Sequence, residues 1–383
     1  MMRKPCFFRG RVDHSPSMIG SGKRLSLALI VKNEARCLAR CLQSVQGVVH
    51  EIVVVDTGST DDTVRIARES QAKVVGFPWE DDFAAARNFA LGQTTGDWIL
   101  VLDADEHASP ALAAEIPGFI GAGPAIGRLR IVSDFRRNNQ TLRSQSLVSR
   151  LFPRGAHFEG RIHEQLISPL PRQDLRGELW HDGYLEPSKS SRNVRLLERE
   201  LERSPDNVYL RFQLALEYTS LDQTAKALSC LRRAYAGLRT DEPFAPNLVV
   251  DYLYALRELN HFEEGLRVIE QAERFCQDLP DFHLVCGLFY LQLARSNPAQ
   301  YIGYLPNVEQ RFRRCLALGE TAHYKSVAGT GSFLAYYNLG ALYHAFGESA
   351  AARRCFERAA GFGYEPARRM LATLASQAGP AHE

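Results

Sequence analysis

Residues able to hold a hard cation and a phosphate gather at three places in the first third of the chain. Asp103-Ala104-Asp105 sets two carboxylates on either side of one small residue, directly after the apolar run Trp98–Leu102. Oxygen ligands alternating on a turn hold Mg2+ or Mn2+ and leave positions for phosphate oxygens. Acids after a strand also cap turns, so an isolated Asp-x-Asp has a local reading as well. The second place is Asp56-Thr57-Gly58-Ser59-Thr60-Asp61-Asp62, after another apolar run. There Ser59, Thr60 and Asp61 suit a helix cap, which leaves Asp56 for a ligand. The third is Val31-Lys32-Asn33-Glu34.

These places share an edge only if the runs before them are parallel strands. Leu25–Val31, Glu51–Asp56, Lys73–Gly76 and Trp98–Asp103 read as strands, and Glu34–Val45, Asp61–Ser70 and Phe83–Thr94 as the helices between them. Continuous apolar strands alternating with helices predict a mostly parallel sheet covered on both faces. In such a sheet, ligands bind beyond the carboxyl ends of the strands, which is where the three acidic segments fall. Gly127–Val132, Ser146–Phe152 and Leu175–His181 read as further strands, with a polar hairpin tip over Arg136–Ser144.

After Pro187 the pattern turns helical. Leu214-Ala215, Tyr218, Ala227 and Ala234 share their offsets with Leu339-Gly340, Tyr343, Ala352 and Ala359. Small residues at those positions let paired helices approach, and the offsets are those of the 34-residue tetratricopeptide repeat. Asp251–Phe275 and Asp281–Arg295 read as degenerate units between them. Such repeats stack into an all-α solenoid, because none buries its face alone. The expected organisation is a loose leader over 1–24, an α/β domain over 25–187 and a helical repeat domain over 188–383.

Composition narrows the partners. The chain has 383 residues and a net charge of +2, too balanced for a protein built around nucleic acid. Its eight cysteines form no CxxC pair and most fall in apolar helical contexts, which predicts buried, reduced thiols and a cytoplasmic protein. No apolar run reaches the roughly 18 residues of a membrane span.

Leu29–Glu34, Val55–Asp61, Asp82-Phe83-Ala84-Ala85-Ala86-Arg87-Asn88 and Asp97–Glu106 together resemble the family 2 inverting glycosyltransferases of GT-A (Rossmann-like) fold. The resemblance is to the bacterial subgroup with C-terminal tetratricopeptide repeats that includes bacteriocin S-glycosyltransferases. It covers residues 25–185 with four ordered motifs.

The resemblance implies a UDP-sugar donor, bound by Val31, Asn33, Glu34, Asp56, Ser59, Arg87, Asp103 and Ala104. Asp56 would serve the uracil and ribose, and Arg87 the diphosphate. It implies Mg2+ or Mn2+ held by Asp105, with Asp103 and His181 as further ligands. In Phe158-Glu159-Gly160-Arg161-Ile162-His163-Glu164-Gln165 it implies Glu164 as the general base, with His163 and Glu159 as the other candidates. The acceptor would be a peptide, protein or glycan, and the repeats would bind acceptor, a protein partner or a second copy. A repeat scaffold with an inactive nucleotide-sugar domain is the competing expectation. A nucleotidyltransferase would need a Gly/Arg/Lys-rich loop after the first strand, and Val31-Lys32-Asn33-Glu34 is not one.

Overall fold

The computed structural model describes residues 22–137, 140–181, 187–321 and 324–377. The strands are β1 (Leu25–Val31), β2 (Glu51–Asp56), β3 (Lys73–Gly76), β4 (Trp98–Val101), β5 (Glu106–Ala108), β6 (Ile126–Arg137), β7 (Gln140–Pro153), β8 (His157–Glu159), β9 (Gln165–Ile167), β10 (Arg172–His181) and β11 (Ser326–Val327). Among them run α1 (Leu38–Ser44), α2 (Thr63–Glu69), α3 (Phe83–Gln93) and α4 (Pro110–Ala122).

Nine strands form one sheet in the order β3-β2-β1-β4-β7-β6-β10-β5, with β11 beside β7, while β8 and β9 pair separately. β3, β2, β1 and β4 are mutually parallel, and β7 joins β4 antiparallel. Val53, Val54 and Val55 are all fully buried, so successive side chains on both faces of β2 are covered. Parallel pairing in register, Val31 opposite Asp56, brings the ends of β1 and β2 to the same edge.

The expected β1, β2 and β3 are found with their bounds unchanged. The first helix begins four residues later than expected. Asn33 takes a left-handed φ of 56°, and the next amides bond outward: Glu34 N donates to Thr63 Oγ1 at 2.7 Å and Ala35 N to Asp61 Oδ2 at 3.1 Å. Residues 35–37 close a turn instead, Cys37 N and Leu38 N both donating to Glu34 O at 3.1 and 3.0 Å, and the helix proper begins at Leu38. The broad hairpin tip is corrected too. β6 and β7 extend through Arg136–Arg137 and Gln140–Ser144, because polar residues on a ladder still satisfy their backbone by pairing. The remaining residues of that tip, 138–139, lie outside the described residues, as does the leader up to residue 21.

α4 was not anticipated. Ser109 caps it, its Oγ accepting from Leu112 N, and Pro110 occupies its first turn. The helix start presses on β10 at Gly177, where a Cβ would lie 2.3 Å from Leu112 Cα.

The chain divides into two compact units: residues 22–130, 148–160 and 164–180 in one, and 131–147, 161–163 and 181 onward in the other. The second holds α5 (Pro187–Arg203), α6 (Val208–Ser220), α7 (Thr224–Ala236), α8 (Ala245–Glu258), α9 (Phe262–Cys276), α10 (Pro280–Ser296), α11 (Pro298–Tyr301), α12 (Leu305–Leu318), α13 (Phe333–Ala345), α14 (Ser349–Gly361) and α15 (Glu365–Gln377). The expected small residues lie where helices meet: Ala215, Ala227, Ala234, Ala352 and Ala359 are fully buried, and a Cβ on Gly340 would come within 2.9 Å of the Phe356 ring. The matching tyrosines behave alike. Tyr218 donates to Glu198 at 2.6 Å and Tyr343 to Glu309 at 2.7 Å, each acid on the preceding helix-forming segment. Asp251–Phe275 falls on two helices, α8 and α9, turned at Asn260, whose φ is 58°, the helix–turn–helix plan of a repeat unit, whereas Asp281–Arg295 lies within the single helix α10.

The seven cysteines among the described residues are free thiols, five of them buried. No helix there is long and apolar enough to cross a membrane.

Candidate active site

The loops after β1 and β2 are stitched together by the residues expected to border a nucleotide. Asn33 N donates to Ser59 Oγ at 2.9 Å, and Asn33 Oδ1 accepts from Thr60 N at 2.7 Å. Asp56 turns its carboxylate onto its own loop, accepting from Gly58 N at 3.2 Å and Ser59 N at 3.1 Å. Val31 is buried at the end of β1. The caps divide differently from expectation: Asp61 accepts from Thr63 N, whereas Ser59 and Thr60 join the loops.

α3 is capped by Asp82, which accepts from Ala85 N at 2.8 Å and sets a negative charge at the helix N-terminus. Trp79 packs edge-on to Phe83 and donates to Asp81 at 3.0 Å. Within α3, Asn88 exchanges two 2.8 Å hydrogen bonds with the backbone of Phe158, its Nδ2 donating to the carbonyl and its Oδ1 accepting from the amide. That clamp fixes β8 against α3. The guanidinium of Arg87 stands over the Phe158 ring at 5.6 Å.

Arg87 is 7% exposed and joins two of the expected site residues. Its Nη2 reaches Asp103 Oδ1 at 2.7 Å, and its Nε donates to Glu164 Oε1. The second oxygen of Asp103 is taken by Arg150 Nη2, also at 2.7 Å, and the same nitrogen reaches Glu106 Oε1 at 2.6 Å. Glu106 in turn accepts from Asp103 N at 2.9 Å, which holds the Asp-x-Asp turn closed. Five buried or half-buried charges therefore alternate along one chain: Glu106, Arg150, Asp103, Arg87, Glu164.

Burial alone would raise the Asp103 carboxyl. Arg150 and Arg87 outweigh it and hold Asp103 well below the usual carboxylate range. The converse holds for Arg87 and Arg150, which burial would lower and the carboxylates raise. Arg87 Nη1 and Arg150 Nε are buried with no hydrogen-bond acceptor among the described residues. A buried donor left so costs about 1–3 kcal/mol, which an anionic ligand would relieve.

Ala104 and Asp105 are buried beside this chain. Among the described residues, no three His, Cys, Asp or Glu side chains cluster as a metal site. Of the other base candidates, Glu159 is exposed and paired with His157 at 3.0 Å, and His163 belongs to the second unit, 4.0 Å from Glu217. His181 also belongs to that unit, its Nδ1 lying 3.3 Å from Ser133 Oγ. Sequence reasoning missed Arg150, Glu106 and Asn88. The available signal for Arg150 was a lone guanidinium between apolar neighbours in a strand, Val148 and Leu151-Phe152.

Residues 26–169 match the profile described as "Glycosyl transferase family 2". They are a family 2 glycosyltransferase domain. Over 84 residues this chain is 57% identical to a TPR repeat-containing protein of Synechococcus elongatus, covering 22% of this chain and 21% of that one. Over 94 residues it is 45% identical to an uncharacterized glycosyltransferase of Rickettsia felis, covering 24% and 33%. The longer match is to the SPbeta prophage-derived glycosyltransferase SunS of Bacillus subtilis, 27% identical over 286 residues, covering 70% and 68%. The chain thus spans about a fifth of the first relative and a third of the second. The ion-pair chain lies wholly inside the transferase domain, since Arg87, Asp103, Glu106, Arg150 and Glu164 all fall within the matched residues.

Proposed function

We propose that this chain is an inverting glycosyltransferase moving a hexose or N-acetylhexosamine from a UDP-sugar to a peptide, protein or glycan acceptor, with Glu164 as general base. The observation that carries the reading is the single buried guanidinium of Arg87 held between Asp103 and Glu164. A motif suited to a nucleotide diphosphate and a carboxylate suited to proton transfer are thereby kept at one locus.

In the reaction, the acceptor O–H or S–H gives its proton to Glu164. The acceptor atom bonds to the anomeric carbon from the face opposite the diphosphate, and the bond from that carbon to the diphosphate oxygen breaks, the electron pair leaving with UDP. Proton transfer by a positioned carboxylate typically contributes 10²–10⁴-fold. The spare Nη1 of Arg87 suits an oxygen of the departing diphosphate, and a donor fixed in advance stabilises developing charge without reorganising. Val31, Asn33, Asp56, Ser59 and Ala104 would line the nucleoside side.

A Mg2+ or Mn2+ ion fits the donor set in part. Such ions are commonly held by one or two carboxylates with substrate phosphates completing the shell. Asp105 is the residue proposed to hold it, and Asp103 could join only by releasing an ion pair. The ion would supply charge neutralisation at the diphosphate.

A cytoplasmic setting is proposed from the free thiols, and the repeats are proposed to engage the acceptor, a protein partner or a second copy. The test is release of UDP from UDP-hexoses and UDP-N-acetylhexosamines with manganese or magnesium, followed by mass spectrometry of offered peptides and glycans. No UDP release and no UDP binding from any donor would refute the reading and favour an inactive domain on a repeat scaffold.

A further inference from the structure

Arg150 carries no role in the proposed reaction, yet it links Glu106 to Asp103 in the ion-pair chain. It stands on β7, 47 residues from Asp103 and 44 from Glu106, and is 8% exposed. One nitrogen, Nη2, bridges both carboxylates. Without it, Asp103 and Glu106 would face each other as two buried like charges on a single turn, and Asp103 would keep only Arg87 as partner. Arg87 is in turn the group that Glu164 is anchored to.

We propose that Arg150 is a positioning residue for glycosyl transfer: by bridging Asp103 to Glu106 it fixes the carboxylate that Arg87 shares with Glu164, and so sets the base against the donor. The inference rests on the reading of Glu164 as base. Arg150 itself need not touch the acceptor. Its influence passes through Asp103 and Arg87, a contiguous series of charge-assisted contacts, 2.6–2.7 Å from Glu106 to Arg87, that ends in the Arg87–Glu164 pair. A displacement of about 1 Å at a reacting group costs on the order of 10²-fold in rate, so a change at Arg150 should be felt in turnover.

The experiment uses the full chain with Arg150→Met, Arg150→Lys, Glu164→Gln and the double variant Arg150→Met/Glu164→Gln. UDP release from UDP-glucose and UDP-N-acetylglucosamine with manganese gives kcat and KM. Arg150→Met should lower kcat by roughly 10²-fold while donor KM moves far less. Arg150→Lys, which keeps a cationic nitrogen able to sit between both carboxylates, should recover most of that loss. The double variant should be about as slow as Glu164→Gln alone, since one route of action is already gone; losses that multiply would overturn the proposal. Hydrogen exchange supplies a readout independent of activity, and it applies equally to Arg150→Lys should Arg150→Met fail to fold. Exchange at Gln165–Ile167 should quicken in Arg150→Met, and by less in Arg150→Lys, whereas a role confined to the Asp103–Glu106 turn would change exchange only near 103–108 and 148–153. Unchanged exchange at Gln165–Ile167 in both variants would sink the inference. Wild type that releases no UDP would refute the proposed function, while the exchange result would still judge the linkage.

Discussion

Asp281, at the start of α10, makes a prediction whose size follows from its surroundings. It is 4% exposed, and the hydrogen-bond partners of its carboxyl among the described residues are neutral. Val327 N donates to Oδ1 at 2.8 Å and Thr330 Oγ1 lies 3.1 Å from Oδ2, while Thr330 also donates to Val327 O at 3.0 Å. This network suits the neutral acid: Oδ1 accepts from the amide, a protonated Oδ2 donates to Thr330, and Thr330 passes its own proton to the carbonyl. Burial pushes the carboxyl up to about 7, the hydrogen bonds opposing it and Glu320 adding repulsion. The folded value stands above the unfolded one, so the native state keeps a proton that the unfolded chain has lost between about pH 4 and pH 7. The contribution is therefore fully present below about pH 4 and is lost as pH rises through 7. A gap of about 3 units corresponds to at most about 4 kcal/mol. Asp281→Asn keeps the shape and can donate from Nδ2 to Thr330, so it should remove the pH dependence. His283, which burial lowers, acts in the opposite sense but is common to both proteins and cancels in the difference. Urea denaturation followed by helical circular dichroism should find the variant gaining on wild type by about 2–3 kcal/mol between about pH 5 and pH 8. Equal pH dependence in the two proteins would refute the neutral-acid assignment. The stakes reach the sheet, because Asp281 fastens the segment whose Ser326 and Val327 pair with Gln145 and Ser144 of β7.

Glu164→Gln should leave UDP affinity nearly unchanged and lower turnover by roughly 10²–10⁴-fold, checked by UDP release and by calorimetric titration with UDP; wild-type turnover on an alcohol acceptor would reject the base assignment. Asp105→Ala should abolish manganese-dependent UDP binding with the melting temperature retained, and normal binding would reject it as the metal-holding acid. Asn88→Ala leaves the amide and carbonyl of Phe158 without their 2.8 Å partners and should cost roughly 1–3 kcal/mol for each group left unsatisfied, read by denaturant titration. Gly265→Ala would put a Cβ 2.2 Å from the Phe289 ring and should destabilise the helical unit by about 1–3 kcal/mol, seen as a lowered melting temperature.

The parallel core was legible because its code is local. Leu25–Val31, Glu51–Asp56 and Lys73–Gly76 are short apolar runs ended by the turn-forming residues Asn33, Gly58 and Pro78, and the paired offsets of Tyr218 and Tyr343 carried the helical repeats in the same way. α4 was also written locally, as Ser109-Pro110 ahead of an apolar stretch, but Pro117 inside it masks the periodicity. The start of α1 was not legible in the same way, because Asn33 takes a left-handed φ and the residues after it close a turn on Glu34 O before the helix begins.

The candidate site divides along the same line. Asp103, Asp105 and Glu164 stand in motifs, so their residue types and order announce them; Arg150 stands in none, and the role of Glu106, though it closes a motif, depends like that of Arg150 on which side chains the sheet brings together. β4 and β7 pair antiparallel with Leu100 opposite Leu151, and that register sets the residue before Leu151 beside the turn at the end of β4. A charge there would be costly if buried alone, since an unpaired ion in the interior costs several kcal/mol. Arg150 is tolerated because two carboxylates meet it, and those carboxylates are tolerated close together because Arg150 stands between them. Each half of the arrangement is intelligible only through the other. The motif residues, Arg87 among them, could be read one at a time, whereas Arg150 became readable only once the fold had closed the distance.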